Sequence, residues 1–140
     1  MEIKVKMTHR QAVVPRKAHK SDSGYDLTII EKVKQNGNTV MFDTGIAVEP
    51  PDGFYIDVAP RSSIYKSGYI FANSFGVIDS SYRGSIKIVL IKIDENAPDI
   101  ELPCKIGQMI LRPLIQADIT PVLELNETVR GDGGFGSSNK

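Results

Sequence analysis

The sequence predicts an all-β fold, a jelly-roll-like barrel or sandwich of short strands, and three observations carry that reading. Apolar and polar residues alternate in short runs, as in Phe54, Ile56 and Val58 set against Tyr55, Asp57 and Ala59, which is the two-residue period of a half-buried strand. Turn residues punctuate these runs at Asn36-Gly37 and at Pro51-Asp52-Gly53. Prolines at 15, 50, 51, 60, 98, 103, 113 and 121 leave little room for a helix of normal length. A chain of 140 residues is enough for one domain with its own core and too short for two.

Taken in order, Ile3, Val5 and Met7 alternate with Glu2, Lys4 and Lys6 and make the first strand. The cations of this region (Lys4, Lys6, Arg10, Arg16, Lys17, Lys20) also fit a mitochondrial presequence, but the alternation favours the strand. Tyr25–Ile30 is β-rich. Asn36-Gly37 predicts a hairpin with φ > 0 at both central positions, and Thr39–Phe42 and Gly45–Glu49 follow. Phe54–Ala59 comes next, then one short helix over Ser62–Ser67, opened after Pro60 and ended by Gly68. Ser85–Ile93 is apolar apart from Lys87 and Lys92 and reads as covered on both faces. Ile106–Leu111 and Ile119–Glu124 are the last expected strands. Residues 1–124 therefore read as the β domain. Residues 125–140 carry four glycines and a single aromatic, Phe135, and read as a flexible arm that cannot order itself alone.

Composition narrows the function. Lys+Arg and Asp+Glu both total 17, so there is no basic footprint for nucleic acid or an anionic membrane. The longest apolar runs, such as Ile88–Ile91, fall far short of the ~20 residues of a membrane helix. The N-terminus has no apolar core of a secretory signal, which leads to the expectation of an intracellular protein. Cys104 is the lone cysteine, excluding an internal disulfide and a Cys-rich zinc site. With His9 and His19 both near the start, an enzymatic base is expected to be a carboxylate.

Five segments have compositions that packing does not explain: Ser23-Gly24-Tyr25-Asp26-Leu27; Ala59-Pro60-Arg61-Ser62-Ser63; Gly76 through Gly84; Gly107-Gln108 within Lys105–Ile110; and Arg130 through Ser138. In this order, spread over about residues 21–138, they resemble the five signature motifs of the trimeric dUTP diphosphatase (dUTPase) family.

The resemblance implies a homotrimer of dUTPase-like β-clip protomers that hydrolyses dUTP to dUMP and pyrophosphate. That reaction limits uracil entry into DNA and supplies dUMP for thymidylate synthesis. It implies that Asp79 aims and deprotonates the water attacking the α-phosphorus. An aspartate with its ordinary pKa near 3.9 is a weak base, but phosphoryl transfer depends mainly on positioning and charge neutralisation. Arg61 and Gln108 complete the implied catalytic set. Ser62 and Gln108 would hold the α-phosphate at the start of the short helix, with Ser63 and Lys87 also in the substrate-binding set. Uracil would be read by the backbone of Gly76, Val77 and Ile78 and by the side chain of Asn73, since a tight hairpin can complement two carbonyls and one N–H. Tyr82 would pack on the deoxyribose and leave no space for a 2′-OH. Arg130, Gly136 and Ser137 would fold over the triphosphate while Phe135 stacks on the base. Asp26 would stand in the outer shell of Mg²⁺, itself held mainly by phosphate oxygens and water. Each site would take the first, second and fourth motifs from one chain, the third from a neighbour and the fifth from the remaining one.

Blander roles stand beside these: Asp79 as a turn-capping carboxylate, Ser62 as a helix N-cap, Tyr82 as a strand-edge tyrosine with a wet hydroxyl. Ser63 stands where the family usually has glycine, and Arg-Ser-Ser is also typical of dCTP deaminase, a relative of the same fold. The glutamate of that relative would fall near Val89, and Ser85–Ile93 contains no glutamate. A dUTPase-like module with a regulatory protein partner and an inactive trimeric module are the readings of a different class.

Overall fold

A computed structural model describes residues 1–138 of the chain. Ten strands follow one another: β1 (Lys4–Met7), β2 (Tyr25–Ile29), β3 (Glu31–Asn36), β4 (Thr39–Asp43), β5 (Ile46–Glu49), β6 (Phe54–Pro60), β7 (Tyr69–Phe71), β8 (Gly76–Ile78), β9 (Lys87–Lys92) and β10 (Cys104–Pro113). One 3-10 helix, Ser62–Lys66, sits between β6 and β7. Two four-stranded antiparallel sheets, ordered β2-β10-β6-β8 and β3-β4-β9-β7, and a β1-β5 pair make up the fold. It is the all-β architecture that the alternation predicts.

Side chains from both sheets meet in one core, where Leu27, Ile29, Ile46, Ile56, Ile86 and Leu90 are fully buried. Burying each such residue contributes about 1.5–3 kcal/mol. In β6 the expected period holds, with Ile56 and Val58 inside and Tyr55 and Asp57 half-buried. Thr44 is buried without penalty because its hydroxyl donates to the Ile86 carbonyl at 2.7 Å.

Several expectations are corrected. The β3–β4 turn is centred one residue later than Asn36-Gly37: Asn36 pairs with Thr39, so Gly37 and Asn38 are the central residues. Only Gly37 has positive φ, 62°, which is the demand of a type II′ turn with glycine first. β9 is not covered on both faces, since Ile88 and Leu90 are buried while Val89 and Ile91 are only half-buried. The expected strand Ile119–Glu124 does not form. Ile119 and Leu123 are 92% and 104% exposed, and Pro121 removes a ladder donor from its centre. The last strand is instead β10, which runs to Pro113. Beyond it Leu114 donates its N–H to the Gly53 carbonyl at 2.8 Å, and from there to residue 132 every side chain is exposed. Asn139 and Lys140, the end of the expected arm, lie outside the described residues.

Candidate active site

Strand register builds one polar cluster. Gln108 on β10 lies opposite Asp26 on β2 and Ala59 on β6, so the three share one rung and leave the same face of the sheet. Two residues beyond Ala59 comes Arg61, fixed from three directions. Its backbone N–H donates to the Ile106 carbonyl at 3.1 Å, its Nη1 to the Lys105 carbonyl at 3.2 Å, and its Nε lies 3.1 Å from Asp26 Oδ1. Those carbonyls are presented by a bulge in β10, where the pairing with β2 slips between Lys105 and Gly107. A bulge next to a functional side chain re-aims the backbone in this way. A half-exposed ion pair such as Asp26–Arg61 adds only about 0–1 kcal/mol of stability, so its value is in orientation. Gln108 is fixed as well, donating from Nε2 to the Pro60 carbonyl at 3.1 Å.

Ser62 and Ser63 open the 3-10 helix and are exposed. Arg61, not Ser62, occupies the N-cap position, with extended backbone and no side-chain cap. The first helical bond runs from the Ile64 N–H to the Arg61 carbonyl at 3.0 Å. The N–H groups of Ser62 and Ser63 therefore stand outside the helical ladder, beside the guanidinium, where an anion can use them.

The third motif lies elsewhere. Gly76–Ile78 form β8, an edge strand paired to β6 on one side only, with Gly76 opposite Val58 and Ile78 opposite Ile56. Its other edge carries main-chain donors and acceptors open to a planar ring. Asn73 sits in the turn before it, Ser74 takes φ 62°, and Asn73 Nδ2 lies 3.5 Å from the point above Gly76 where a Cβ would be. Asp79 follows Ile78, exposed, at a cleft lined by Tyr55, Val77, Leu114 and Ile115. From the level of Asp79 to Arg61 is about six strand residues along β6, roughly 20 Å. Asp79 and the Arg61–Gln108 cluster of one chain thus cannot touch the same phosphate.

Tyr82 is exposed, and its hydroxyl donates to the Ser85 carbonyl at 3.1 Å. Ser85 in turn hydrogen-bonds Asp43 through its own hydroxyl, tying the hairpin to β4. Lys87 begins β9 opposite Asp43, exposed and apart from the Arg61 cluster. The fifth motif coils on itself. Arg130 Nε donates to the Gly133 carbonyl at 2.9 Å, the Ser137 N–H to the Gly134 carbonyl at 3.0 Å, and Gly136 takes φ 84°. The Phe135 ring is fully exposed. Among the described residues no hydrogen bond or ion pair joins residues 115–138 to the body.

Burial raises the pKa of the Cys104 thiol, with the nearby Arg61 charge opposing it, so at neutral pH the group is a thiol and no nucleophile. Among the described residues no cluster of three or more His, Cys, Asp or Glu side chains could hold a metal ion. Sequence reasoning missed the bulge that anchors Arg61, for which Lys105-Ile106 gives no signal.

An arginine, a carboxamide and free helix-start amides on one face, with an open edge strand at a distance, define a β-sheet protein whose polar cluster has the chemistry to take an anion such as a phosphate. Comparison with known proteins sharpens that class: the dUTPase family model matches residues 10–139, and the chain belongs to the dUTPase family. Among its relatives, a deoxyuridine 5'-triphosphate nucleotidohydrolase of Nautilia profundicola is 39% identical over the whole of both chains. Another of that name from Clostridioides difficile is 41% identical, covering 97% of this chain and 96% of its own. The fold matches a Staphylococcus bacteriophage 80alpha dUTPase with dUPNHPP, at a TM-score of 0.83, 24% identity and 98% of each chain. It also matches a mutant dUTPase of phage phi11 of S. aureus, described with a structural Mg(II) ion, at a TM-score of 0.76 and 19% identity, over 91% of this chain and 100% of that one.

Proposed function

We propose that the chain hydrolyses dUTP to dUMP and pyrophosphate, in a homotrimer whose sites each draw on more than one chain. The observation that carries the composite site is the separation, within one chain, of Asp79 from the Asp26–Arg61–Gln108 cluster. A neighbour's hairpin brings Asp79 to the cluster. Arg61, Ser62 and Gln108 then hold the phosphates. Asp79 aims a water at the α-phosphorus and takes its proton, and the displaced pyrophosphate leaves on the cluster's charge. The open edge of Gly76–Ile78 and Asn73 read uracil; cytosine is rejected because it would leave those groups unpaired. Tyr82 excludes the ribonucleotide, while Ser63 and Lys87 complete the substrate contacts. The arm from residue 125 closes over the triphosphate with Arg130, Gly136 and Ser137, and Phe135 stacks on the base.

Mg²⁺ supplies charge neutralisation on the phosphates. A lone half-buried carboxylate beside an arginine suits an ion that keeps its waters, so Asp26 would accept hydrogen bonds from those waters. Working on a free nucleotide, the protein acts inside the cell. The test is pyrophosphate release with Mg²⁺ from dUTP, dTTP, dCTP and UTP. Turnover of dUTP at least ~10²-fold above the others in kcat/KM is expected. Equal turnover of dCTP, or ammonia release from it, overturns the reading.

A further inference from the structure

Gly24 is buried just before β2, and it has no positive φ that would call for glycine. What it lacks is room. A Cβ built on Gly24 would overlap Gln108 Oε1 and stand 2.8 Å from Gln108 Cδ and 3.0 Å from Gln108 Cβ. The Gln108 carboxamide is therefore seated on the bare Gly24 backbone on one side and hydrogen-bonded by Nε2 to the Pro60 carbonyl on the other. A carboxamide held between these two supports has one Nε2 hydrogen used by Pro60 and a second that makes no hydrogen bond among the described residues, left over for an anion.

We propose that Gly24 is a positioning residue for Gln108: its missing side chain is the socket that aims the carboxamide. The consequence for turnover rests on the dUTP-hydrolysing role given above, in which Gln108 holds the α-phosphate; the socket itself does not. The three atoms that a methyl group would meet first all belong to one flexible side chain and not to backbone. Gln108 Oε1 and Cδ can swing out into solvent, and only Gln108 Cβ, fixed to β10, has to give by a few tenths of an ångström, so Gly24→Ala costs little stability and removes the aim. A glycine needed for backbone conformation would behave in the opposite way, losing stability first.

The test compares Gly24→Ala, Gln108→Ala and the double variant, in full-length protein, by thermal melting, by steady-state hydrolysis of dUTP with Mg²⁺, and by ¹⁵N NMR of side-chain amides. The Gln108 NH₂ signal is identified by its loss in Gln108→Ala. In Gly24→Ala that signal should move toward the position of a free carboxamide, with Tm within about 3 °C of wild type. Its kcat should fall about 10²-fold, matching Gln108→Ala, with the double variant no worse than either single one. An unmoved Gln108 signal overturns the socket whatever the enzyme does. Multiplying losses in the double variant also overturn it, since the two residues would then act separately. If the wild-type protein itself fails to hydrolyse dUTP, the functional reading falls while the NMR result still decides the socket.

Discussion

The Asp26–Arg61–Gln108 cluster and the C-terminal segment are held in opposite ways. Arg61 is anchored by two strand carbonyls and a carboxylate, and Gln108 by Pro60 and the bare Gly24. Among the described residues, 115–138 bond only to one another, and Ile119, Leu123, Leu125 and Val129 expose nearly all of their surface. The first region is held in place by the fold itself. In the proposed mechanism the second is ordered when substrate arrives, at about 1–2 kcal/mol per backbone residue fixed, so closure would have to be driven by phosphate charge and by stacking. A preformed cluster favours binding and a deferred clamp favours turnover; variants in each should separate along that line.

The largest effect is expected outside both regions, at Asp79, which joins them. Asp79→Asn should lower kcat about 10³-fold with KM little changed, because in the proposed mechanism the group acts on the attacking water and not on binding. Asp79 is exposed, so its Tm should stay at the wild-type value; a lower Tm would mark it as a structural turn residue. Next comes removal of residues 131–140. Turnover should drop about 10²-fold while the melting temperature stays put, since only contacts made on closure are lost. A fall in Tm would show that the arm is part of the fixed body, and the contrast between the regions would disappear. The smallest effect sharpens the contrast from the base side. A Cβ on Gly84 would overlap Tyr82 Oη and lie 2.6 Å from its Cζ. Gly84→Ala should therefore displace the ring from its Ser85 tether and narrow the preference for dUTP over UTP by about tenfold, read from the ratio of kcat/KM values.

How much of this was legible in the sequence follows the same division. Alternation in Phe54–Ala59 located β6, and the segments around Asp26, Arg61 and Gln108 stood out through their resemblance to the dUTPase motifs. Their convergence on one face could not, because it depends on the register of three strands distant in sequence. β7, three residues long, and β3, wholly exposed, have too little apolar pattern to be seen. Ile119–Glu124 misled in the other direction. Its apolar residues satisfy a strand's composition, but among the described residues no neighbouring edge accepts its backbone, and its side chains stay exposed. The half-covered outer face of β9, at Val89 and Ile91, carries the same message.

The composite site is the claim on which the rest stands, and mixed trimers test it directly. Arg61→Ala and Asp79→Asn, each inactive alone, are unfolded, mixed in equal amounts and refolded together. With a cluster from one chain and a carboxylate from its neighbour, about one site in four regains both intact parts under random threefold assembly. Roughly a quarter of wild-type turnover should therefore return. Activity no greater than the sum of the two variants refolded apart would show that each chain works with its own Asp79, and would contradict the account.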